Sequence, residues 1–199
     1  MKSNFNNMSK PQGIIVFGAN GSGKTTLGRK LAHILDFKHM DAEDYYFRES
    51  KIPYTDARSK DEVICFMLAD IEKHRQFIIS TCVGDLGNII PQFYGLAVHI
   101  SVPLDIRMER IKRRAYDRFG DRVCEGGDMY EQQQKFHDFV LSRPLSKIDQ
   151  WAQTLTCPVI CIDGTKDLHT NAITIVERFN ELYPNKHFCR NQHFNTKLM

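Results

Sequence analysis

No stretch of this 199-residue chain is apolar for long enough to cross a bilayer. The first residues, MKSNFNNMSKPQ, lack the apolar run of a secretory signal, so residues 1–12 are expected to be a polar, loosely ordered leader. The six cysteines (Cys65, Cys82, Cys124, Cys157, Cys161, Cys189) form no C-x-x-C pair, which removes the usual redox and zinc-ribbon patterns. Cys82, Cys157 and Cys161 sit in apolar, strand-like runs, where a reduced thiol behaves as a small hydrophobe, and this points to a reducing, cytoplasmic setting. Charge is nearly balanced at +3, so no global signal for nucleic acid exists and such a partner is not expected. His187, Cys189 and His193 lie in a polar tail, residues 184–199, without a fourth ligand, so zinc is not expected either. Repeats, low-complexity tracts and interdomain linkers are also missing. What is left is one α/β domain, residues 13–183, with 42% hydrophobic content, ordinary for a packed core.

The informative stretch is Gly13 to Leu27, GIIVFGANGSGKTTL. Ile14 to Phe17 fits a buried parallel strand, which breaks at Gly18. Gly18, Ala19, Asn20, Gly21, Ser22, Gly23, Lys24 and Thr25 then complete a G-x-x-x-x-G-K-T phosphate loop. Its glycines let backbone N–H groups turn inward and approach a phosphate where a Cβ would collide. A helix starting near Lys24 directs its positive end at the same anion. In that arrangement Lys24 reaches the β/γ-phosphates, the Thr25 hydroxyl ligates Mg²⁺, and Thr26 completes the grip. Nucleotide binding is the expectation.

Further along, apolar spacing predicts helices over Lys24–Leu35, Asp61–His74, Leu104–Tyr116, Tyr130–Trp151 (interrupted near Arg143-Pro144) and about Leu168–Leu182. Short apolar runs at Phe37–Met40, Gln76–Thr81, Leu96–Val102 and Pro158–Ile162 read as strands. Arg48–Arg58 reads as a loop, and the Gly-rich, charged Asp117–Met129 as a mobile one, so a lid is expected at about residues 115–130. Alternating strands and helices imply a parallel sheet covered on both faces, with ligands at the carboxyl ends of the strands. The phosphate loop, the Asp41–Asp44 cluster, Gly84-Asp85 and Asp163–Thr165 all follow predicted strands and should converge on one edge.

Several residues there could carry chemistry. A phosphotransferase needs a carboxylate to orient a hydroxyl, take its proton, or hold Mg²⁺ through water. Asp41, Glu43 and Asp44 supply candidates, with Asp44 the first choice as base, Asp41 close behind, and one of the acids free to serve the metal through water. Tyr45, Tyr46 and Phe47 offer flat faces to a ring; the competing reading is a helix N-cap beside core aromatics. Arg58 either clamps an anionic substrate or caps a surface. Gly84 and Asp85 follow the third strand, where a metal-associated acid or a substrate-contacting turn is expected; that strand lacks a terminal Asp, and Asp85 is the candidate to stand in for it. Arg107, Arg110 and Arg114 form a helical stripe opposite the apolar positions Leu104, Met108, Ile111 and Ala115. Arg114, Arg118 and Arg122 are the chosen stabilisers of transferred charge; a solvated face is the bland alternative. Phe136, Phe139 and Trp151 read as packing residues.

With these residues in view, the chain resembles the P-loop small-molecule kinases: nucleoside monophosphate, shikimate, gluconate and uridine kinases. GANGSGKTTLGRKLA, MDAEDYYF, HISVPLDIRMERIKRR and VICIDGT carry the likeness, and the DYY, RFGDR and GGDM stretches are similar to bacterial adenylate-kinase-like proteins. The resemblance implies a five-stranded sheet in the order 2-3-1-4-5, ATP and Mg²⁺ as cofactors, and an adenine-packing turn at Gly164 and Thr165. It also implies γ-phosphoryl transfer to a small acceptor such as a nucleoside or nucleotide, by a monomer or homodimer. Cys82-Val83-Gly84-Asp85-Leu86 departs from the Asp-Gly-aromatic-Pro-Arg stretch of nucleoside monophosphate kinases, so the arginine that grips an acceptor phosphate is missing there. An ATP-hydrolysing or ATP-binding regulator stands as the alternative.

Overall fold

A computed structural model describes residues 10–50 and 55–184; the expectations for most of the leader and for the tail fall outside them. The chain runs β1 (Gln12–Phe17), α1 (Lys24–Leu35), β2 (Lys38–Asp41), α2 (Ala42–Tyr46), α3 (Lys60–His74), β3 (Gln76–Thr81), β4 (Tyr94–Ser101), α4 (Leu104–Phe119), α5 (Tyr130–Ser142), α6 (Ser146–Ala152), β5 (Val159–Asp163) and α7 (Leu168–Leu182). The sheet is parallel in the order β2-β3-β1-β4-β5, as expected.

β1 is central and wholly buried, which is why it reads as an uninterrupted apolar run. Its alternate residues feed two cores. Ile14 and Val16 pack with Leu27, Leu31 and Leu35 of α1 and Phe179 of α7. Ile15 and Phe17 face Val63, Met67 and Ile71 of α3 and Ile148 of α6. The start of α3 is secured by a capping box: Ser59 Oγ accepts from the Glu62 N–H, and Glu62 Oε2 accepts from the Ser59 N–H at 2.9 Å.

Four local expectations change. The acidic cluster is a five-residue helix, α2, with Asp41 as its N-cap. Residues 117–129 form no open loop: α4 continues to Phe119, a 3₁₀ turn covers Gly120–Val123, and Arg122 grips Asp128 through two bonds of 2.9 and 2.7 Å. Glycine content concealed this order because the turn is secured by side chains and by Met129 N–H donating to the Arg122 carbonyl at 2.9 Å. On α4, Leu104 is exposed while Arg107 is only 4% exposed. This helix packs over the phosphate loop, whose carbonyls select guanidinium donors over apolar side chains. Finally, Cys161 is exposed, because β5 pairs only with β4 and one of its faces is open.

Gly84 is set by packing. A Cβ there would collide with the Trp151 indole and come within 3.0 Å of Ile15 Cδ1, and Trp151 is itself wedged edge-on against Phe17 at 5.0 Å. Gly84→Ala is expected to cost about 1–3 kcal/mol, read as a lowered urea midpoint; an unchanged midpoint would show that the indole can move aside.

Candidate active site

At the carboxyl edge of the sheet lies a cavity of about 860 Å³. Its floor is the phosphate loop. Gly21 has φ +78°, and a Cβ there would stand 2.6 Å from the Arg107 carbonyl oxygen, so only glycine fits both the conformation and the space. Arg107 reaches back with Nη1 to the Asn20 carbonyl (3.2 Å) and Nε to the Val102 carbonyl (3.1 Å). It braces the loop from behind. Ser22 Oγ is buried without a hydrogen-bond partner, and Lys24 Nζ donates to the Ala19 carbonyl at 2.9 Å. A loop of glycines with an unsatisfied hydroxyl and a lysine at its mouth fits a polyphosphate. Gly18 and Ala19 shape the turn without lining the cavity, whereas Asn20 to Leu27 line it.

β2 brings the acids in. Asp41 pairs with Ser80 across the β2–β3 ladder and accepts the Thr25 hydroxyl on Oδ2 at 2.6 Å and the Glu43 N–H on Oδ1 at 3.2 Å. A threonine hydroxyl and a carboxylate side by side are hard oxygen donors of the kind that suits Mg²⁺. Asp41 is the N-cap of α2 and also lines the cavity beside Thr25. Beneath, His39 Nε2 lies 3.0 Å from Ser80 Oγ, which donates to the Lys24 carbonyl at 3.1 Å. Burial is the main cause that pulls the His39 imidazole below its ordinary value.

The remaining predicted residues separate into two groups. Asp41, Glu43, Arg114, Arg118, Thr26 and Gly164 line the cavity with the loop. Asp44, Tyr45, Arg58, Gly84, Asp85, Arg122 and Thr165 do not. The five-residue helix turns Asp44 off the cavity and exposes it, whereas Glu43 lines the cavity. Tyr45 donates its hydroxyl to Asp70 of α3. Arg58 donates to the Tyr45 and Phe47 carbonyls at 2.9 and 3.1 Å, capping the end of α2. Asp85 pairs with Lys60 at 2.7 Å, and Thr165 folds onto Asp163 Oδ1.

Other lining residues had been given no role in the site from the sequence, though Arg110 belonged to the basic stripe. Arg110 donates to the Gly164 carbonyl at 3.0 Å. Arg143 donates to Asn20 Oδ1 at 3.0 Å, with its guanidinium over Phe139. Its signal was the following Pro144: a residue before proline is held extended, here at ψ 118°, which ends α5 and aims the side chain at the loop. Phe136 and Phe139, read as packing residues, line the cavity with Gln132 and Gln133.

Glu43 opens to the cavity, but protein crowds its carboxyl, and that desolvation, followed by the nearby Asp41 charge, pushes its pKa up against the opposing pull of Lys24 and Arg114. Because the folded-state value is raised, the carboxyl's contribution to stability is full below the ordinary glutamate range and is lost as pH rises through the raised value. Glu43→Gln should therefore raise the melting temperature at neutral pH and lose that advantage in acid; equal melting temperatures at neutral pH would contradict the assigned crowding.

The family model described as "AAA domain" matches residues 14–129. The uncharacterized protein YqaC of Bacillus subtilis (strain 168) is 31% identical over 160 residues, which is 75% of this chain and 87% of that protein. A probable gluconokinase of Rattus norvegicus is 44% identical over 45 residues, 23% of this chain and 24% of its own length. Among solved structures, shikimate kinase from Acinetobacter baumannii, in complex with shikimate, superposes with a TM-score of 0.52 at 15% identity, covering 87% of this chain and 94% of that one. That likeness is one of fold: a phosphate-loop α/β sheet of the kind small-molecule kinases use.

Proposed function

The chain belongs to the AAA domain family, and we propose that it is an ATP-dependent kinase moving a γ-phosphoryl group to a hydroxyl of a small molecule. The observation that carries this reading is the pair of carboxylates, Asp41 and Glu43, on the wall of one cavity with Lys24, Thr25, Arg114 and Arg118. The acid beside the one held by Thr25 stands where it can take the proton of an attacking hydroxyl; an ATPase would use it on water instead, and acceptor dependence separates the two. The volume, about 860 Å³, is near the top of the range of about 300–1,000 Å³ for single-ligand pockets and leaves room for an acceptor beside the nucleotide.

In this reading each residue has a part. Backbone N–H groups of Asn20 to Lys24 cradle the phosphates, and Gly164 with Arg110 borders the base end. Thr25, and Asp41 through water, would hold Mg²⁺, which would supply charge to neutralise the phosphates. Glu43 accepts the proton of the attacking hydroxyl as the new O–P bond forms. The bond between the γ-phosphorus and the bridging oxygen breaks, and ADP leaves with that oxygen and its electron pair. Lys24, Arg114 and Arg118 stabilise the charge spread over the transferring group, and Arg143 fixes Asn20 from the far wall.

Acceptor-dependent ADP release is the test. Lys24→Ala should keep the far-ultraviolet spectrum and reduce kcat by about 10²–10³; a variant with full activity sinks the assignment. Glu43→Gln should lower kcat by about 10²–10⁴ with little change in the KM for ATP, whereas Asp44→Asn should leave kcat near that of the parent. ATP turnover indifferent to every acceptor would move the reading to an ATPase.

A further inference from the structure

We infer that Asn171 selects the nucleotide base: its side-chain oxygen reads the exocyclic amino group of adenine and disfavours a base that carries an oxo group there. The inference rests on the nucleotide-binding part of the reading above and names the residue that decides which nucleotide is held.

The cavity itself gives the nucleotide a direction. Thr25 and Asp41 meet at 2.6 Å where β2 ends, so the terminal phosphates and their cation belong on that side of the loop. The sheet order puts β4 and β5 on the other side of β1. A triphosphate lying along Gly21 to Lys24 therefore points its nucleoside toward the end of β5. There Gly164, Lys166, Leu168 and Asn171 border the same cavity, and Arg110 closes the corner by donating to the Gly164 carbonyl at 3.0 Å.

Asn171 is fixed in that corner. It sits near the start of α7, whose N-cap Asp167 accepts the Thr170 N–H on Oδ1 at 2.8 Å. The residue lines the cavity yet is only 8% exposed, so its side chain is packed in place. Its Nδ2 donates to the Asp163 carbonyl at 2.8 Å. A carbonyl only accepts, so the amide cannot be flipped, and that bond alone tells its nitrogen from its oxygen. Bracing β5 against α7 uses the nitrogen. The oxygen is turned off the Asp163 carbonyl, and among the described residues it is neither enclosed nor met by a protein donor.

An amide oxygen accepts and cannot donate. Adenine offers it two N–H groups, whereas hypoxanthine and guanine present a carbonyl oxygen at the same place. The amino group gains a hydrogen bond on leaving water. The oxo group meets another acceptor and gains none, which is how a buried polar group discriminates.

Three diphosphates that differ at this position decide the matter by binding, without turnover: ADP, purine riboside diphosphate (hydrogen in place of the amino group) and IDP. Each is titrated calorimetrically with Mg²⁺ into the full chain and into Asn171→Ala. The parent is expected to bind ADP about tenfold or more tighter than IDP, with the hydrogen analogue between them. In Asn171→Ala the three are expected to bind alike. If that variant gives no cooperative melt, Asn171→Ser takes its place; its hydroxyl can donate as well as accept, so the gap between ADP and IDP should narrow. Should neither variant fold, the order of the three ligands on the parent decides. Any order on the parent other than ADP, analogue, IDP overturns the inference, and so does a preference for ADP that survives in the folded variant. Failure of all three to bind overturns it too, and acceptor-dependent ADP release from ATP on the same preparation shows whether the kinase reading falls with it.

Discussion

The hydrogen bond from Thr25 to Asp41 spans two layers of the chain's order. Thr25 stands in the first turn of the helix leaving β1, and Asp41 ends β2, which lies beyond β3 in the sheet. The bond is possible because Gly28 lets α1 settle on β3, where a Cβ would strike the Ser80 hydroxyl and the His39 ring. That close approach sets the distance between the part of the site that holds phosphate and the part that carries the acids. The His39–Ser80–Lys24 carbonyl chain fills the space beneath with satisfied polar groups, so the junction stays closed without apolar packing.

The arginines of α4 show how one helix divides structural and chemical work along a single face. Arg107, nearest the sheet, is buried and spends its donors on loop and strand carbonyls. One turn on, Arg110 is shared between the loop and the turn after β5. Arg114 and Arg118, further out, are exposed on the cavity. Guanidinium groups suit the inner positions because loop carbonyls present several acceptors in a plane, which a single ammonium cannot match.

How far this was legible in sequence differs from element to element. The phosphate loop was readable because its chemistry is a backbone requirement: Gly21 has neither the φ nor the space for a side chain, and that constraint is written in the residue itself. The strand order followed from likeness and alternation. Which acid enters the cavity was not readable, since α2 is only five residues long and its rotation depends on Asp41 capping it and Arg58 closing it. The face of α4 was read correctly at Ile111, which is buried, and missed at its start, where Leu104 is exposed and Arg107 is buried because that end of the helix meets carbonyls. Arg143 went unread because its role comes from a contact 123 residues away in sequence.

β5 is the outermost strand beside β4, with Val159, Cys161 and Asp163 exposed. The turn that follows it carries Gly164 and Lys166 to the cavity, the first turn of α7 adds Leu168 and Asn171, and Asn171 ties back to the Asp163 carbonyl at 2.8 Å. The phosphate end of the cavity hangs from β1, sealed on both faces, while the other end hangs from a strand sealed on one. Opening free energy follows buried contact, so amide exchange is expected to run at two rates around one cavity, slower at the strand that leads into the glycine loop and faster at the strand that leads into Gly164.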